Sequence, residues 1–267
     1  MDNDHLRVLM VGDLIGKKAC QLLYNQLKSI LAEENIDVCI VNGENSYEGN
    51  GISLEIVHSL FNSGVNVISS GNHIWKKKDV DEILQANPSL LRPANYPANL
   101  PGNGYTIINI KNINIAVINL MGRYYMDPID CPFDSVNKII DQIQQTCPII
   151  IIDFHAEYGP EKEALGFFLD GKVSLVAGTH THVQTADEKI LPEGTGYITD
   201  IGMVGALESI IGMNIDAPIK KYLLQTPHKY VVEKKSPFIF CGLIASIDKT
   251  SGKTLSLRRY KKQFDMP

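Results

Sequence analysis

The chain has 267 residues, 44% hydrophobic and 21% charged, with 21 glycines and 13 prolines scattered along it. This length can bury a sizeable core, and the composition excludes collagen-like, coiled-coil and disordered classes. A formal net charge of -5 leaves no global positive field to gather nucleic acid or an anionic membrane, so an anionic substrate needs local help. Cysteines stand at 20, 39, 131, 147 and 241, with no C-x-x-C pair and no secretory leader, so reduced thiols in a cytoplasm are expected. The apolar runs are too short to span a membrane.

In chain order, residues 6–11 form an apolar run that ends at Gly12-Asp13. Leu22, Leu23, Leu27, Ile30 and Leu31 then follow at helical spacing. Residues 38–41 lead into Asn42-Gly43-Glu44-Asn45, a second helical pattern holds Leu54, Val57, His58 and Phe61, and residues 65–68 precede Gly71-Asn72-His73. Residues 105–110 and 113–120 predict a hairpin joined by Lys111-Asn112. Two more strands, 149–152 and 173–177, run into Asp153-Phe154-His155 and Gly178-Thr179-His180-Thr181-His182, and strand-like segments return at 230–233, 239–247 and 254–260. Alternating strands and helices mixed with hairpins predict an α/β fold of stacked sheets flanked by helices, in one domain over residues 1–267.

Polar residues cluster where these apolar strands end, and ligands of open α/β sheets gather beyond the carboxyl ends of strands. Five separate segments would bring Asp13, Glu44, Asn45, Asn72, His73, His155, His180 and His182 to one rim. Imidazole with carboxylate and amide oxygen suits Fe, Mn or Zn, and so many donors exceed the needs of one ion. A two-metal centre, with ions roughly 3.5–4 Å apart and a bridging carboxylate, is the economical reading. In an extended stretch His180 and His182 would face one side and Thr181 the other, while adjacent Asn72 and His73 would diverge. Gly12, Gly43 and Gly71 are expected to let the backbone turn tightly beneath the ions.

The blocks Gly12-Asp13, Gly43-Glu44-Asn45, Gly71-Asn72-His73, His155 and Gly178 through His182 resemble those of calcineurin-type metallophosphoesterases. Asn42 to Asn45, Arg92-Pro93-Ala94-Asn95, Asp153 to Glu157 and Gly178 to Asp187 resemble more narrowly the bacterial YmdB-like family. Where the wider superfamily has Asp-x-His and a second Asp, this chain has Asp13-Leu14-Ile15 and Glu44, as does the YmdB-like branch. The resemblance implies a metallophosphoesterase-type β-sandwich of two mixed sheets flanked by helices. It implies that Asp13, Asn45 and His182 serve one ion, that Asn72, His155 and His180 serve the other, and that Glu44 bridges them. The activity implied is a metal-dependent phosphodiesterase, a hydrolase of 2′,3′-cyclic nucleotides. A hydroxide activated by the dinuclear centre would attack phosphorus, with His73 as the general acid.

Arg123, beyond an apolar strand, is a candidate for holding a phosphate or base, with an ordinary surface role as its alternative. For Trp75, packing stands ahead of base stacking; the Tyr124-Tyr125 pair has the same two readings, and His58 is read as packing. Lys76 to Lys78 and Arg258, Arg259, Lys261 and Lys262 read as solvated faces, with RNA ends as the one nucleic-acid partner considered. The expected partner is a small phosphodiester and no membrane, with a homo-oligomer left open. Competing functions are a phosphomonoesterase or protein phosphatase, and a regulatory module that binds metal and nucleotide without turnover.

Overall fold

The computed structural model describes residues 4–266; residues 1–3 and 267 of the expected unit lie outside it. Strand β1 (His5–Val11) is buried on both faces, which is why it reads as a continuous apolar run. Leu6, Val8 and Met10 face one way and Leu9 and Val11 the other, following the two-residue period of a strand.

Among the described residues there are two sheets and six helices. In the first sheet the order is β2 (Asp13–Leu14), β11 (Met203–Ala206), β12 (Phe238–Asp248), β1, β3 (Val38–Asn42) and β4 (Val67–Ser69). Strand β13 (Thr254–Phe264) lies along β12. The second sheet runs β5 (Tyr105–Ile110), β6 (Ile113–Met121), β7 (Ile149–His155), β8 (Leu175–Thr179), β10 (Gly196–Ile198) and β9 (Lys189–Ile190). Each sheet mixes parallel and antiparallel pairs, so the expected sandwich of two mixed sheets is the fold observed.

Leu6, Val8, Met10, Val38, Ile40 and Leu243 of the first sheet pack with Ile115, Val117, Ile149, Ile151 and Leu175 of the second. The outer face of the first sheet is covered by α1 (Gly16–Glu33), α2 (Leu54–Asn62) and α3 (Val80–Ala86), through Leu23, Leu27, Ile56, Leu60 and Ile83. The second sheet carries α4 (Pro132–Ile143) and α5 (Gly159–Phe168), through Val136, Ile140 and Leu165. Each fully buried Leu or Ile contributes roughly 1.5–3 kcal/mol relative to exposure, so these apolar layers carry the stability. Helix α6 (Asp216–Leu224), between β11 and β12, buries only Pro218 among its described residues.

Two local expectations need correction. Residues 230–233 form no strand; Val232 makes an isolated bridge to Met213, and Glu233 donates its N–H to Gly212. These partners lie in the same excursion, away from a sheet edge. His58 sits exposed on α2 rather than packed. Helix α5 escaped the periodicity because its buried face includes Glu161 and Lys162.

Parallel β3 and β4 end together, with Asn42 beside Ser69. Parallel β6, β7 and β8 also end together, with Met121 beside His155 and His155 beside Thr179. The loops after these strands therefore share one rim, joined by the Gly12-Asp13 junction between β1 and β2.

Candidate metal centre

Asp13, Glu44, Asn45 and His155 are buried at this rim, and Asn72, His73, His180 and His182 are half-buried around them. All eight sequence-selected residues meet in one network. Ligating atoms of Glu44, His155 and His180 lie within 4.8 Å of one another, a cluster that could hold a metal ion.

His155 Nε2 is 3.0 Å from Glu44 Oε1, 3.2 Å from Asn72 Oδ1 and 3.0 Å from His180 Nδ1. Beside it, Asn45 Nδ2 donates toward Asp13 Oδ1 at 3.3 Å, Glu44 Oε1 at 3.3 Å and His182 Nε2 at 3.2 Å. Glu44 thus touches both groups. His73 donates its backbone N–H to Glu44 Oε2 at 2.8 Å, and its Nδ1 stands 2.6 Å from Asn45 Oδ1.

The tautomers follow from the outer partners. Thr179 Oγ1 donates to Asp153 Oδ1 at 2.6 Å, so it accepts from Nδ1 of His155 at 2.9 Å. His182 Nδ1 faces the carbonyl of Ile211 at 2.9 Å, which makes it a donor. In the neutral rings both Nε2 atoms therefore present lone pairs inward. In that neutral state three lone-pair atoms, Glu44 Oε1, Asn72 Oδ1 and His180 Nδ1, converge on His155 Nε2 without a hydrogen to share, and Asn45 Nδ2 has two hydrogens for three acceptors. A cation relieves both shortages, with the Asn45 side-chain amide turned to offer Oδ1 in place of its nitrogen, so the donor set fits metal ions.

The electrostatics follow the crowding. Burial raises Asp13 to about 6 against the pull of His182 and His155. Burial opposes ionisation of Glu44, but His155 and His73 outweigh it and lower the carboxyl to about 2. Burial likewise opposes charge on His155, yet Glu44 raises it to about 9. Burial, followed by the neighbouring His155, lowers His180 to about 2. Burial also lowers His73, with Glu44 acting in the opposite sense.

The expected extended stretch at 180–182 is not observed. β8 ends at Thr179, and His180 and His182 take left-handed backbone angles with φ of 98° and 66°. Two such residues fold the loop inward, where the His180 N–H donates to Asp13 Oδ2 at 3.2 Å. Thr181 does turn away, bonding Asp200 Oδ2 through its N–H and its hydroxyl. The glycine expectation also changes. Gly12, Gly43 and Gly71 are absent from the left-handed region; they permit close approach instead. A Cβ on Gly71 would lie 2.1 Å from His155 Cδ2, and one on Gly12 2.0 Å from the Gly202 carbonyl oxygen.

Sequence reasoning did not single out several supporting residues. Buried Lys162 donates to the Thr179 carbonyl at 2.7 Å and to Asp200 Oδ2 at 2.8 Å, anchoring the histidine loop. Asp153 accepts from Ser69, Asn42 and Thr179, and Glu157 Oε2 lies 3.2 Å from His180 Nε2. A charged side chain in a helical pattern gives no sign of pointing inward; Asp153 and Glu157 were visible only as motif letters.

Arg123 is exposed at the rim, its guanidinium 3.4 Å from Cys131 Sγ. Trp75 lies in a short 3₁₀ turn and packs edge-on against Tyr96, with centroids 5.3 Å apart, so packing is its role. Three of the basic tail residues are paired: Arg258 with Glu34, Arg259 with Glu188 at 2.9 Å, and Lys262 with Glu33 at 3.9 Å. Among the described residues no helix is long and apolar enough to cross a membrane.

The family model described as YmdB-like protein matches residues 9–260. A relative from Bacillus subtilis (strain 168), named 2′,3′-cyclic-nucleotide 2′-phosphodiesterase, is 39% identical over 254 residues, covering 95% of this chain and 96% of its own. A solved structure from Mycoplasma pneumoniae, titled a novel phosphatase, matches with TM-score 0.92 and 32% identity, covering 100% of this chain and 96% of that one. The solved structure of a hypothetical protein from Thermus thermophilus matches with TM-score 0.90 and 32% identity, over 97% and 99% of the two chains.

Proposed function

The chain belongs to the YmdB-like family, and from that premise we propose that it is a metal-dependent phosphodiesterase acting on 2′,3′-cyclic nucleotides. The observation that carries the reading is the inward convergence of lone pairs from Glu44, His155, His180 and Asn72. In this reading Asp13, Asn45 and His182 would hold one ion, Asn72, His155 and His180 would hold a second, and Glu44 would serve both. The support is that Glu44 Oε1 lies 3.0 Å from His155 Nε2 and 3.3 Å from Asn45 Nδ2, between the two groups. Fe or Mn, or else Zn, would supply Lewis-acid polarisation of phosphoryl oxygens and acidify water.

The chain's own residues do the rest. Asp153 and Thr179 hold the His155 ring with Nε2 inward, and Ile211 does the same for His182. His73 is the proton donor to the departing ribose oxygen. Its Nδ1 is tied to the Asn45 side-chain amide, which leaves Nε2 to deliver the proton as the P–O bond breaks. Burial makes its imidazolium a stronger acid. Arg123, exposed beside this rim, is assigned to a phosphate oxygen or the base. The whole chain, residues 1–267, acts as one domain.

The test is hydrolysis of 2′,3′-cyclic AMP by purified protein, metal-free and with Mn²⁺, Fe²⁺ or Zn²⁺ restored, alongside Asp13→Asn and His155→Ala. Metal-dependent turnover lost in both variants is expected. Preferential turnover of monoesters would shift the assignment to a phosphatase. Nucleotide binding without product under all three metals, in folded protein, would replace catalysis by a regulatory role.

A further inference from the structure

Three tyrosines at the lip of the candidate centre are unused by the mechanism. Tyr124 and Tyr125 follow β6, and Tyr158 follows β7. Tyr124 stacks on Tyr158, with centroids 5.5 Å apart and planes 29° apart; Tyr125 meets Tyr158 edge-on at 5.6 Å. They are 60%, 83% and 39% exposed, so core packing does not account for the Tyr124 and Tyr125 rings, and Tyr158 supports them from below. Tyr125 also has φ of 60°, a left-handed conformation that a bulky side chain rarely adopts. Neither burial nor backbone geometry calls for tyrosine there, and strained, exposed residues of this kind collect at binding sites.

The cluster is tied to the centre. The Gly122 N–H donates to the His155 carbonyl at 3.0 Å, and Glu157, next to Tyr158, touches His180. Buried Glu161 accepts the N–H groups of Arg123 at 3.0 Å and Tyr124 at 3.2 Å, holding the loop in place. We propose that Tyr124, Tyr125 and Tyr158 form the platform on which the substrate's nucleobase stacks. The inference rests on the cyclic-nucleotide reading above. In a 2′,3′-cyclic nucleotide the base leaves C1′, adjacent to the phosphorylated C2′, so it lies within reach of a surface beside the phosphate site. An exposed aromatic face supplies that contact for any base, and more strongly for the larger purine.

The test compares 2′,3′-cyclic AMP with methyl riboside 2,3-cyclic phosphate, which lacks a base, using Mn²⁺-loaded wild type, Tyr125→Ala, the Tyr124→Ala/Tyr125→Ala double variant and Tyr125→Trp. KM for cyclic AMP should rise about 5-fold or more in the alanine variants with kcat unchanged. Turnover of the base-free diester should not change, and Tyr125→Trp should retain the low KM. Equal KM changes on both substrates, or none on either, would overturn the platform. If the wild type hydrolyses neither diester, the phosphodiesterase reading fails by itself. Calorimetric binding of adenosine 3′-monophosphate against methyl riboside 3-phosphate then decides the platform. A base-dependent affinity lost in the double variant supports it, and its absence in the wild type overturns it.

Discussion

The hydroxyl of Thr179 stands 2.9 Å from Nδ1 of His155, at the point where β7 and β8 end side by side. Because that hydroxyl gives its hydrogen to Asp153, it accepts from the Nδ1–H of the ring and turns Nε2 toward Glu44. The inward orientation of the buried histidine is thus set by the sheet, before a ligand arrives.

Thr179→Val keeps the shape but removes this acceptor. Mn²⁺ affinity measured calorimetrically should fall about 10- to 100-fold, the usual loss when a partner orienting a ligating histidine is removed. Unchanged affinity would mean that the ring is oriented by Glu44 alone.

Gly71→Ala would place a methyl 2.1 Å from His155 Cδ2. The ring has no room to retreat, being fully buried, so the variant should fold with weakened metal binding or unfold at lower temperature. Wild-type metal affinity together with wild-type Tm would contradict this.

Lys162→Met leaves Asp200 buried without its ammonium partner, and the Thr179 carbonyl without its donor. Breaking a buried pair from one side costs about 3–5 kcal/mol, which should appear as a lowered urea midpoint. A change within error would show that Thr181 and Gly202 alone satisfy Asp200.

Burial works against ionisation of Asp187, but hydrogen bonds from Thr185 and Thr199 outweigh it and lower its pKa. A carboxyl lowered on folding stabilises above its unfolded value, about 3.9, and loses that contribution as pH falls through the lower folded value. The stability gap between wild type and Asp187→Asn should therefore be full near neutrality and close in acid. A gap independent of pH would assign the effect to packing.

Of the five cysteines, Cys20, Cys39, Cys147 and Cys241 are buried, and burial pushes the Cys20 thiol up to about 12. Cys131 is the partly exposed one. Ellman's reagent should label one thiol rapidly in native protein and five after denaturation. Two or more fast thiols would indicate that a buried strand or helix opens readily.

The site was more legible than the helices around it because each block pairs an apolar strand with polar residues that have no packing role at its end. Asp13, Glu44 and His155 could be selected on that ground, since a buried strand leaves its terminal polar group facing the rim. Glu161 and Lys162 were not legible: on a helix they look solvent-facing, and the end of β8, the segment after β10 and the 122–124 loop, brought near by the fold, give them partners. The strand expected at 230–233 failed for the related reason that extended character needs a neighbouring edge, which that excursion does not meet.

By itself the sequence determined the stacked-sheet α/β class and the set of polar residues at the strand ends, because apolar periodicity and strand termini are local properties. Tertiary structure alone decided the left-handed turn that folds His180 and His182 inward, the tautomer imposed through Thr179, and the tyrosine cluster at the lip. These depend on contacts between segments far apart in the chain, whose distances and proton positions local residue order does not contain.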